Sequence, residues 1–161
     1  MELAKPAKRA GFGLSLKGRA LRLLATREHS RVELERKLAP HEEAPDQLAL
    51  VLDELQAKDF ISEARVVESV INRKASRFGA ARIRYELQKK GLEPEIMAEA
   101  ISSLKTTEVE RAREVWRKKF ESKSGGAQVD AAGRAKQMRF LAARGFGADA
   151  IRRVVSGSED D

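Results

Sequence analysis

Cysteine is absent from the 161 residues, so no disulfide, thiolate nucleophile or cysteine-bound metal cluster can form. Aromatic residues make up only 5% of the chain, and no apolar run approaches the roughly 18 to 20 residues needed to cross a bilayer. The opening "MELAKPAKRAGFGLS" carries basic residues with no apolar segment behind them, which argues against a secretory signal. Apolar–polar alternation, the mark of a half-buried strand, is hard to find. Loops of the G-x-x-x-x-G-K-[ST] or G-x-G-x-x-G type are missing, and so is a G-x-S-x-G elbow. His29 and His41 are the only histidines; they fall in turns beside acids and read as solvated residues, not metal ligands or bases. Catalysis therefore has little to stand on, no cofactor is implied, and a cytoplasmic protein without a membrane partner is expected.

What the sequence does hold is charge and helical periodicity. Charged residues are 35% of the chain and the net charge is +7. Leu16, Ala20, Leu23 and Leu24 share one helical stripe, and "SRVE" from Ser30 is a capping box in which Glu33 reaches back to the cap. A second helix with Leu34 and Leu38 ends at the acidic, proline-containing loop "APHEEAPD", after which Leu48, Val51, Leu52 and Leu55 mark a third. Val66, Val67, Val70 and Ile71 open a second trio. Ile83 and Leu87 precede Gly91, placed where a left-handed residue is cheapest, and Pro94 starts the helix bearing Met97, Ala100, Ile101 and Leu104. Thr107 begins another candidate capping box, "TEVE", for a helix with Val109, Ala112, Trp116 and Phe120. The Ser- and Gly-rich "ESKSGGAQVD" reads as a flexible connection, and helix resumes by about Arg134, breaks at "RGFG", and finishes with Ile151, Val154 and Val155 inward.

Laying Gly91 on Gly145 superposes Leu87 on Leu141, Leu92 on Phe146, Met97 on Ile151, Ala100 on Val154 and Ile101 on Val155. A second shift lays Leu34 on Ile83 and Leu38 on Leu87. The sequence predicts an all-α fold of three tandem three-helix units in an elongated modular chain, each unit completing its core against a neighbour. The expected boundaries are a mobile leader over 1–15, units over 16–61, 62–105 and 106–156, and an acidic tail, "GSEDD", over 157–161.

Positive charge concentrates in the second and third units, which points to a polyanionic partner, either nucleic acid or an acidic protein groove, unless the cations simply solvate the surface. On the helix before Gly91, Arg82, Tyr85 and Lys89 lie on the flank away from Ile83 and Leu87, with Arg84 on the opposite flank and Lys90 at the end. Such a stripe can hold phosphates, stack on a base or clamp carboxylates; alternatively Tyr85 shields a seam between units. In the third unit Arg134, Lys136, Arg139, Arg144, Arg152 and Arg153 are opposed only by Asp149. Two short helices about a glycine turn also suggest helix-turn-helix geometry, so a stand-alone DNA-binding protein of transcriptional or architectural type is the alternative.

Three stretches, "ALRLLATREHSRVELERKL" at 20–38, "LDELQAKDFISEARVVESVINRKASRFGAARIRYELQKKGL" at 52–92 and "RFLAARGFGADAIRRVV" at 139–155, resemble the RecX regulators of the bacterial recombinase RecA. The resemblance implies a non-enzymatic, monomeric, all-α modulator that lies along the RecA filament across neighbouring subunits and dampens its ATPase, strand exchange and growth. It also implies contact with single- or double-stranded DNA through the basic faces. Val67 and Val70 depart from the aromatics that the family often has there.

Overall fold

The computed structural model describes residues 13–121 and 129–157; the leader up to Phe12, the connection from Ser122 to Gln128 and the tail from Ser158 lie outside the described residues. Among the described residues every regular element is helical. The first trio is α1 (Leu16–Thr26), α2 (Arg31–Leu38) and α3 (Gln47–Ala57). The second is α4 (Glu63–Lys74), α5 (Ala80–Lys89) and α6 (Pro94–Thr106). The third is α7 (Glu108–Trp116), which runs on into a π-helical turn at Arg117–Glu121, then α8 (Ala131–Ala143) and α9 (Ala148–Val155). Each trio buries its own apolar cluster.

Helix ends follow local chemistry. Ser30 forms the expected box: its hydroxyl accepts from Glu33 N at 3.1 Å, and Glu33 Oε1 accepts from Ser30 N at 3.2 Å. The acidic loop before α3 has a capping role of its own. Asp46 sits at φ 64° with no side-chain cap bond, and Glu42 reaches across to accept from Leu48 N at 3.0 Å. Gly91 and Gly145 both take the left-handed conformation, at φ 76° and 86°, and Leu92 and Phe146 turn inward behind them. The "TEVE" box does not form. α6 and α7 are separated by Thr107 alone, whose hydroxyl lies against the Leu104 carbonyl and accepts instead from Arg111 Nε at 3.1 Å.

His29 is a second correction. It is 1% exposed, not a solvated turn residue, because the α1–α2 turn folds it under α2. Its Nε2 lies 3.1 Å from Lys37 Nζ, which can only donate, so Nδ1 carries the proton and donates to the Arg27 carbonyl at 3.0 Å. Burial lowers its pKa below 6.5, and the charges of Arg27 and Lys37 add to this against the Arg27 carbonyl and Glu33. Below pH 6.5 the unfolded chain takes up a proton that folded His29 resists, so the stability tied to this site is complete above 6.5 and declines as pH falls. We expect a His29→Gln variant to lose less thermal stability than the wild type between about pH 7.5 and pH 5.5. Equal losses would show that His29 titrates alike folded and unfolded.

The chain divides into two compact bodies, one ending at Ser62 and the other beginning at Glu63. The second and third trios thus lie within one body. Gly79 N donates to the Arg144 carbonyl at 2.8 Å, and Ala80 N donates to Glu108 Oε1 at 2.8 Å. α5 begins on Gly79, which has no side chain to cap it, and the Glu108 carboxylate supplies that cap from α7. Arg111, one turn further along α7, donates to the carbonyls of Ala75, Phe78 and Leu104 at 2.7 to 2.9 Å.

Candidate functional site

The seam between the second and third trios gathers the charge. Contact between Gly79 and Gly145 is close enough that a Cβ on Gly79 would lie 2.2 Å from the Gly145 carbonyl oxygen. This brings the α8–α9 turn onto the start of α5 and carries Arg144 to Phe78. Four cations converge on that ring: Arg82 and Arg144 with guanidinium carbons 5.3 Å from its centroid, Lys74 Nζ at 5.4 Å and Arg77 at 5.5 Å. Arg144 also lies 5.1 Å from the centroid of Phe140. Glu86 is the one carboxylate paired with them among the described residues, 2.8 Å from Lys74 and 4.0 Å from Arg82.

Each cation–ring contact at a partly exposed site contributes about 0.5–1 kcal/mol. A hydrogen bond from a cation to an anion contributes more, about 1.5–3 kcal/mol. Four like charges around one ring and one carboxylate therefore keep capacity for a further anion, which would also relieve their mutual repulsion. Arg77 and Arg82 are exposed, so they can reach one.

The rest of the expected residues distribute around this seam. Tyr85 is 57% exposed with Lys89 Nζ 5.4 Å from its ring centroid, so the Arg82–Tyr85–Lys89 stripe continues along α5 from the cluster. Phe78, and not Tyr85, fills the seam. Lys90 is half-buried where α5 ends, and Arg84 points to the other flank of the helix. The third-trio cations do not form one face. Arg152 and Arg153 both turn to Asp149, at 3.7 and 3.3 Å, while Arg134 lines a hollow with Trp116 and Gln137. Lys136 and Arg139 are exposed on α8, and of the six only Arg144 joins the Phe78 cluster.

Lys74, Arg77 and Phe78 read in the sequence only as the end of a helix and a turn. A signal was present: "FGA" occurs at 78–80 and again at 146–148, each time with the glycine just before a helix. Both copies meet α7, where Glu108 caps Ala80 and its other oxygen would lie 3.3 Å from a Cβ on Gly147. Arg111 bonds the Phe78 carbonyl and lies 6.0 Å from the Phe146 ring centroid.

Three family models match in order along the chain: the first three-helix domain of RecX over residues 17–55, the second over 62–101 and the third over 106–155. The chain belongs to the RecX family. It is 56% identical over 142 residues to the regulatory protein RecX of Leptothrix cholodnii, covering 88% of each chain. Its identity to the RecX of Herminiimonas arsenicoxydans is 49%, over 94% of this chain and 98% of that one. The fold matches the crystal structure of RecX from Lactobacillus salivarius with a TM-score of 0.73 at 23% identity, over 88% of this chain and 93% of the other. Among the described residues no cluster of His, Cys, Asp or Glu is arranged to hold a metal ion, and no helix is long and apolar enough to cross a membrane.

Proposed function

We propose that this chain regulates the RecA recombinase, engaging the RecA–DNA filament through the cationic face around Phe78 and damping its ATPase, strand exchange and growth. Membership of the RecX regulatory family supports the regulatory role. The observation that carries the binding face is the convergence of Lys74, Arg77, Arg82 and Arg144 on one ring with a single paired carboxylate among the described residues. Guanidinium groups present planar forks that suit phosphate and carboxylate alike, so the same cluster can meet a DNA backbone or an acidic protein surface. The chain acts by binding and needs no nucleotide of its own.

Arg77→Glu combined with Arg82→Glu tests this reading. Both side chains are exposed, so the helical circular dichroism spectrum is expected to stay unchanged. Co-sedimentation with RecA filaments on single-stranded DNA is expected to weaken about a hundredfold, at roughly 1.5 kcal/mol per lost charge-assisted contact, and inhibition of the RecA ATPase is expected to disappear. Undiminished inhibition would remove this face from the interface. Sequence-preferring binding to duplex DNA, with no effect on RecA, would favour the helix-turn-helix alternative.

A further inference from the structure

A second cationic surface lies on the opposite flank of α5, away from the Phe78 cluster. Arg84 and Lys105 border a groove of about 340 Å³ between α5 and α6, whose lining includes Pro94, Met97, Ala98 and Ile101. The same two cations and Ile101 also border a smaller hollow of about 150 Å³ that continues past Ala81 to Glu108, Gly145 and Gly147. Arg84 and Lys105 are both exposed, and neither has an ion-pair partner among the described residues.

The chemistry here differs from that around the Phe78 ring. Among the described residues no aromatic ring lines either hollow, so they offer bases no platform on which to stack. Much of the lining is aliphatic, and the Glu108 carboxylate borders the far end, where it opposes a phosphate chain running on along the groove. A peptide carries charge only where its sequence places it. We infer that this groove docks an extended protein segment, with a carboxylate side chain held between Arg84 and Lys105 and an aliphatic neighbour covering Met97 and Ile101. The inference rests on the preceding reading only for the identity of the protein that carries the segment.

The test compares the wild-type chain, Arg84→Glu with Lys105→Glu, and Ala98→Trp, which fills the groove without changing charge. The probes are a labelled short peptide of alternating glutamate and leucine, a labelled single-stranded oligonucleotide, and RecA filaments on DNA. The peptide is expected to bind the wild type saturably and to lose at least about tenfold in affinity with each variant, the strength of one charge-assisted contact or of the covered apolar surface. Oligonucleotide binding by Ala98→Trp is expected to stay within about threefold of the wild type, because phosphate contacts depend on charge. No peptide binding by the wild type, equal peptide binding by all three proteins, or an oligonucleotide loss matching the peptide loss in Ala98→Trp overturns the inference. Peptide binding without binding to RecA filaments leaves the groove standing and removes RecA as its partner. Filament binding unaffected by Ala98→Trp, with no peptide binding, removes the groove and leaves the regulatory reading in place.

Discussion

Replacing Gly79 by alanine is expected to cost roughly 3 kcal/mol and to lower the melting temperature of the body beginning at Glu63 by about 10–20 °C. The added Cβ would lie 2.2 Å from the Gly145 oxygen, 2.4 Å from its carbonyl carbon and 2.5 Å from Phe146 N, all of them backbone atoms. No rotamer change removes such a clash, so the α8–α9 turn must move away from α5. Moving it breaks the bond from Gly79 N to the Arg144 carbonyl and takes Arg144 off Phe78. Backbone strain is not the reason, since Gly79 has an ordinary φ of −78° that any residue adopts. Gly147→Ala is the control: its Cβ would meet only the end of the Glu108 side chain, at 3.3 Å, and little change is expected. Thermal melts of the two variants decide the matter, and similar melting temperatures would show that the close approach at Gly79 relaxes without cost.

Arg111→Met is expected to be comparably severe, at about 3 kcal/mol, read as a lower midpoint in urea denaturation. Methionine keeps most of the aliphatic stem but gives up every donor. The carbonyls of Ala75 and Phe78 close the turn after α4 and take their bonds from this one guanidinium, while that of Leu104, in the last turn of α6, accepts from it and also from the backbone N–H and hydroxyl of Thr107. A cation at helix C-termini is favoured by the helix dipoles, and after α4 it stands in for missing backbone donors. Burial pulls the Arg111 pKa down, but a guanidinium keeps its proton in any protein, so the charge stays in place. Arg111→Lys should recover only part of the loss, because one ammonium cannot reach three carbonyls in a fixed fork. The variants should also bind RecA filaments more weakly, since the Phe78 carbonyl is one of the three acceptors. Unchanged urea midpoints would show that water replaces the guanidinium without cost.

The helical trios were legible because their signals are local. Leu34, Leu52, Ile83, Leu87 and Leu141 are buried as their spacing requires, and the two glycines aligned by the internal repeat share one left-handed conformation. The capping box at Ser30 lies within four residues and forms as read. Thr107 carries the same pattern without its outcome, because α6 runs almost directly into α7 and leaves no extended residue for a cap. His29 was misread for a related reason. A histidine between charged residues looks like a surface turn until the fold sets Lys37 against one ring nitrogen and the Arg27 carbonyl against the other.

By itself the sequence determined where the chain coils, where it turns, and that positive charge gathers after the first trio, since each of these depends on residues a few positions apart. Only the tertiary structure decided which cations act together. Lys74, Arg77 and Arg82 meet Arg144 because two glycine backbones can touch, and the same packing leaves Arg152 and Arg153 to Asp149. Electrostatic coupling falls with distance through space and not along the chain, so a cluster assembled from two domains is invisible until they dock.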